Sequence, residues 1–145
     1  MTTLIVMLLL LPYILVLGQW TPPLEITSIK TIDFEGNLKT SFARGTTVVV
    51  NVELKSLVSL YQPSTKYLLI IRIDNPQGYT VFIGFITDVI APGATKTVGS
   101  GYQIPAGAST GTYTVKVFVW NGWPSQMGSN FEVLANLGQT SFIVT

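Results

Sequence analysis

Between residues 24 and 145, apolar residues recur with period two in short runs that turn residues cut apart. That pattern constrains the fold more than anything else in the chain, because period two places one side of each run in a core and the other outside it. In TTVVVNVEL, Val48, Val50, Val52 and Leu54 share a face opposite Thr47, Val49, Asn51 and Glu53. In YLLIIRID, Tyr67, Leu69, Ile71 and Ile73 point inward, and Arg72 and Asp74 fall at the wetter end. In GTYTVKVFVW, Tyr113, Val115, Val117 and Val119 oppose Thr114, Lys116, Phe118 and Trp120. The terminal TSFIVT puts Phe142 and Val144 on its buried face.

The punctuation is equally regular. Glu35-Gly36-Asn37, Asn75-Pro76-Gln77-Gly78, Ala91-Pro92-Gly93 and Pro105-Ala106-Gly107 supply the fixed or positive φ that tight turns need. Residues 25–34 read as a first, imperfectly alternating strand, and residues 55–66 as a connection folded over one sheet end. Residues 79–90 are apolar on both faces, with Gly84 marking a bulge or a close backbone approach. Residues 95–104 read as a polar edge strand. One helix is expected, at 130–137: Ser129 and Glu132 match a capping box, and Gly138 fits the residue that ends it. About seven short strands with little helix predict an all-β chain, a single antiparallel β-sandwich of the immunoglobulin-like kind over residues 24–145.

Residues 1–18 form an uncharged apolar stretch, from Leu4 to Leu17, interrupted by Pro12. It is shorter than the roughly 20 residues of a membrane-spanning helix and matches the length of a signal-peptide core. Val16 and Gly18 suit the −3 and −1 positions of a cleavage site, which would leave Gln19 as the first mature residue. An uncleaved N-terminal anchor, or a buried helix of the domain, is the alternative. The signal and anchor readings both place the rest of the chain outside the cytoplasm, secreted or at the cell surface, and limit membrane contact to this segment. Residues 19–23, with Pro22 and Pro23, form a stiff spacer.

Composition narrows the chemistry. The chain is 48% hydrophobic and 10% charged, with net charge +1 and its Lys and Arg scattered singly, so nucleic acid is not an expected partner. It has no Cys and no His, which removes disulfides, thiolate nucleophiles, the usual proton shuttle and most zinc sites. The seven carboxylates form no catalytic motif. Asp33, Glu35, Asp74 and Asp88 lie near turns, but their spacing fits no calcium loop and they read as solvated turn residues. No catalytic residue, metal or cofactor is expected, and the chain reads as a non-enzyme.

The runs RGTTVVVNVEL, LLIIRIDNPQG, APGAT, IPAGASTGTYTVKVFVWN and SFIVT, in that order, resemble the secreted prokaryotic, archaeal-like immunoglobulin-like surface domains of the CARDB and related adhesion-module type. The resemblance spans residues 44–145 and implies an extracellular module for adhesion, scaffolding or assembly. It carries no catalytic motif.

A solvated strand face should be polar, yet one face of GTYTVKVFVW ends in Phe118 and Trp120, with Trp123 just beyond. Either a neighbouring segment, 130–137 or 55–66, covers these rings, or they form an interaction surface. The leading expectation is an exported cell-surface or filament-forming protein that contacts other protein chains, including its own copies. A specific form is strand addition, with Gln19, Trp20, Leu24, Ile26 and Ile29 as the donor segment. The alternative is a carbohydrate-binding or adhesion module that stacks sugar on the aromatics beside Asn121 and Gln126.

Overall fold

Eight strands carry the alternations: β1 (Leu24–Ile32), β2 (Ser41–Phe42), β3 (Thr47–Ser56), β4 (Thr65–Asp74), β5 (Thr80–Ile90), β6 (Thr95–Gln103), β7 (Gly111–Trp120) and β8 (Gly138–Val144). A computed structural model describes residues 21–145. The expected signal or anchor segment, and Gln19 and Trp20 of the expected donor, lie outside the described residues. Among the described residues, no helix is long and apolar enough to cross a membrane.

The strands form a β-sandwich of two sheets, ordered β1-β3-β6 and β2-β8-β7-β4-β5. Pairing is antiparallel except where β2 runs parallel to β8, so the sheets are not purely antiparallel. That exception is short, with Ser41 beside Ile143 and Phe42 beside Val144.

The inward rows meet as the period predicts. Val48, Val50, Val52 and Leu54 of β3 are buried against Tyr67, Leu69, Ile71 and Ile73 of β4 and Tyr113, Val115, Val117 and Val119 of β7 in one hydrophobic cluster. Phe142 stacks on Tyr113 with ring centroids 5.4 Å apart and meets Phe42 edge-on at 5.7 Å. Burial of each such aliphatic side chain stabilises by roughly 1.5–3 kcal/mol. This core holds the chain without disulfides.

β6 forms one edge of the three-stranded sheet, as its polar sequence suggests. Gly84 sits in regular register opposite Ile71, and the ladder irregularity falls instead between Thr80 and Phe82. Close approach explains the glycine: a Cβ there would lie 2.7 Å from Ser100 Oγ and 2.9 Å from the Phe82 ring.

Two expectations are corrected. Residues 130–137 do not form a helix. The short helix comes earlier, α1 (Pro124–Met127), followed by a 3₁₀ turn at Gly128–Asn130. The capping box fails because the Glu132 N–H donates to Asn121 Oδ1 at 3.0 Å, while Asn121 Nδ2 donates to the Asn130 carbonyl at 2.6 Å. Beyond that clamp the chain runs extended beside β7, bridging Trp120 to Val133, and buries Leu134 and Ala135. Gly138 opens β8 and does not end a helix.

Asp74 is not at a wet end but buried. Its carboxylate is compensated there by the Thr80 hydroxyl (2.8 Å), the Arg72 guanidinium (2.9 Å) and Lys116 Nζ (3.6 Å). Burial pushes its pKa up, but the bonds from Thr80 and Arg72 and the charges of Arg72 and Lys116 outweigh it and hold the group below the ordinary Asp value.

Candidate functional site

On the five-stranded sheet, the outward side chains of β5, β4 and β7 align in cross-strand rows. Register places Phe85, Ile70 and Phe118 in one row and Thr87, Leu68 and Trp120 in the next. A third row, Ile83, Arg72 and Lys116, starts the transition to polar residues. Phe118 and Trp120 are therefore brought together as expected, with ring centroids 5.8 Å apart.

The segment after β7 partly roofs this face. Phe131 stands edge-on to Trp120 at 5.3 Å, so a portion of the covering expected from residues 130–137 does occur, from an extended chain and not a helix. Trp123 meets Phe85 edge-on at 5.4 Å. Arg72 lies over Phe118, with Cζ 5.9 Å from the ring centre, within cation–π range. The rings and the roof bury Leu68 and Ile70, 2% and 7% exposed, although both point away from the core.

Phe118, Trp120 and Trp123 are each half-buried. The open part of the surface lies one strand further out. On β5, Ile83 is 58% exposed, Phe85 62% and Val89 48%. None of these three stands out from the sequence as a site residue. The signal was present in the two-faced apolarity of residues 79–90, which a single buried face does not require. β5 is also an edge: among the described residues, β4 is its only strand partner.

The expected donor residues are placed differently. Leu24 is fully buried, and Ile26 and Ile29 pack half-buried against the core. All three lie on β1, which pairs with β3 of the same chain through Leu24–Ser56, Ile26–Leu54 and Ile29–Val52. Their apolar faces are already in use at home.

A cavity of about 230 Å³ lies beside the roof, lined by Lys66, Leu68, Thr87, Asn121, Trp123 and Gln126. It unites Trp123 with both residues expected to assist sugar binding. The Asn121 side chain, however, is committed to Asn130 and Glu132. The turn carboxylates do not converge: among the described residues, no three Asp or Glu side chains group as metal ligands would. Asp33 bonds the Asn37 backbone N–H at 2.8 Å, and that bond first of all lowers its pKa. Asp88 pairs with Lys96 at 2.5 Å, which lowers its pKa in the same way.

No family model matches the chain, and no curated protein matches it. Solved structures do. The C-terminal domain of Wzt aligns over 86% of this chain and 75% of that one, with TM-score 0.66 and 10% identity. The alkylpurine DNA glycosylase AlkC of Pseudomonas fluorescens, bound to DNA, aligns over 85% of this chain with TM-score 0.57 and 16% identity. A Paenibacillus cycloisomaltooligosaccharide glucanotransferase complexed with cycloisomaltoheptaose aligns over 83%, with TM-score 0.59 and 17% identity. The chain spans only 30% and 14% of those last two proteins. At such identities the likeness shows the β-sandwich fold alone.

Proposed function

We propose that this chain is an exported, non-enzymatic, immunoglobulin-like module whose work is contact with other protein chains at the cell surface, as a structural or assembly component. The observation that carries the reading is the cluster of Ile83, Phe85 and Val89, exposed on one strand beside the half-buried Phe118, Trp120 and Trp123. Single exposed apolar residues are ordinary, whereas a contiguous patch of this kind marks an interaction surface. Large aromatics bounded by a cation are the composition of protein contact anchors, and Arg72 and Lys116 supply that boundary. The apolar segment at residues 1–18 supports export. Size exclusion of the full chain over a dilution series tests the reading. Concentration-dependent assembly is expected, and a monomer at every concentration, with no protein bound, counts against it.

Carbohydrate binding is the second reading, favoured by the cavity where Trp123 stands beside Lys66, Thr87 and Gln126. A bound soluble neutral oligosaccharide should then quench tryptophan fluorescence, and Trp123→Ala should abolish the quenching. Protein contact is preferred because the exposed apolar row Ile83, Phe85 and Val89 lies on β5, outside that cavity, and has few hydrogen-bonding groups.

A further inference from the structure

The four edges of the two sheets are not protected alike. β1 has a register irregularity between Ile26 and Ser28, carries Glu25 and Lys30, and is strapped at its far end, where Lys39 N–H donates to the Thr31 carbonyl and Leu38 bridges Ile32. β2 has two residues. β6 holds Gly99 and Gly101 and carries Lys96. Bulges, charges and short length are the ordinary means of preventing strands from pairing between molecules. β5 is eleven residues long; it has an irregularity of its own between Thr80 and Phe82, and beyond it the outward row, Ile83, Phe85, Thr87 and Val89, has no charge. Its one charged residue, Asp88, is on the other face and is neutralised by Lys96. Lys96 Nζ also donates to the Val89 carbonyl at 3.3 Å, and the Val89 N–H donates to Asp88 Oδ1 at 2.8 Å. The edge is therefore guarded at the hairpin end by these bonds and at the other end by the irregularity, and its unguarded stretch is residues 83–87.

We propose that β5 is a pairing edge for a second copy of this chain, antiparallel about a two-fold axis at Phe85. This rests on the protein-contact reading above and names its partner. The outward row is close to a palindrome. With Phe85 opposite its own copy, Ile83 faces Thr87 on each side of the axis, so the contacts in the regular part of the row join uncharged side chains on the same face. An isologous arrangement of this kind closes with two copies and turns two five-stranded sheets into one continuous sheet. It supplies hydrogen-bond partners to the backbone of residues 83–87, which pairs with no second strand among the described residues. It also joins the two Phe85 rings, each with its Trp123, into one aromatic surface. A net charge of +1 sets up little repulsion between copies.

The absence of native cysteine makes the register directly measurable. Directly opposed residues of antiparallel strands have Cα atoms about 4.5–5.5 Å apart, within disulfide reach. In the full chain, Phe85→Cys should oxidise to a disulfide dimer roughly tenfold or more faster than Tyr61→Cys in an exposed loop. As a second readout, a mixture of Ile83→Cys and Thr87→Cys chains should cross-link faster than either alone. If the wild-type chain assembles but Phe85→Cys is no faster than Tyr61→Cys, and the mixture gains nothing, the strand pairing is wrong and the contact reading stands. If the wild-type chain does not assemble at any concentration and Phe85→Cys is no faster, both fall.

Discussion

The three-stranded sheet turns Ser28, Lys30, Asn51, Glu53, Lys55 and Thr97 to the outside, whereas the five-stranded sheet turns out Leu68, Ile70, Ile83, Phe85, Phe118 and Trp120. Both sheets contribute inner rows to the same core. The core therefore explains one face of each sheet and leaves the second apolar face of the larger sheet unexplained. Part of that face is used internally, because the 123–133 segment and the aromatics bury Leu68 and Ile70. The remainder, along β5, is open. The contrast separates residues that stabilise this chain from residues available to another.

The largest expected effect tests the buried half of the outer face. Leu68→Ala should cost about 2–4 kcal/mol in denaturant unfolding, as for a core leucine. Lys55→Ala, also outward but exposed on the other sheet, should stay within about 0.5 kcal/mol. Equal costs would erase the distinction between the faces. Trp120→Ser should cost less, about 1–3 kcal/mol, because its ring is half-buried under Phe131.

The polar end of the same face gives a pH test. Asp74 has a lowered pKa when folded, so its contribution is present above the unfolded value of about 3.9 and is lost as pH falls through the folded value. Asp33 and Asp88 act in the same direction. Melting temperature should fall on acidification below pH of about 4, and Asp74→Asn should flatten that decline without removing it. The smallest effect belongs to the core. The Tyr67 hydroxyl is buried with no hydrogen-bond partner among the described residues, and burial, then the Asp88 charge, pushes its pKa up to about 12. Tyr67→Phe should leave stability within about 1 kcal/mol of wild type, on the favourable side.

Much of this was legible in the sequence where one physical effect dominated. The inner rows of β3, β4 and β7 follow from period two because a one-residue slip would expose every valine. Phe118 and Trp120 were recognisable as outward for the same reason, whereas Trp123 lies past the strand's end, where alternation says nothing. The misses fall where tertiary partners overrule local signals. Residues 130–137 have helix-forming composition, but the side chain of Asn121, distant in sequence, takes the Glu132 N–H that a capping box needs. Asp74 reads as solvated until Thr80, Arg72 and Lys116 close around it. Ile83, Phe85 and Val89 were visible as apolar, but alternation alone does not say which face of a two-faced strand stays open. Leu24, Ile26 and Ile29 read as extended chain that a neighbour could accept, because alternation does not say whether the partner strand belongs to the same chain.

Sedimentation equilibrium on the full chain, comparing wild type with Phe85→Lys and Phe34→Lys, is the most direct measurement of the contact surface. Phe34 is also an exposed phenylalanine, but it lies in the turn after β1, away from the aromatic face. Wild type and Phe34→Lys should associate with concentration, Phe85→Lys should associate at least about tenfold more weakly, and all three should melt alike. A wild-type chain that stays monomeric, or a Phe85→Lys chain that associates as wild type does, would contradict the assignment of this face to contact between chains.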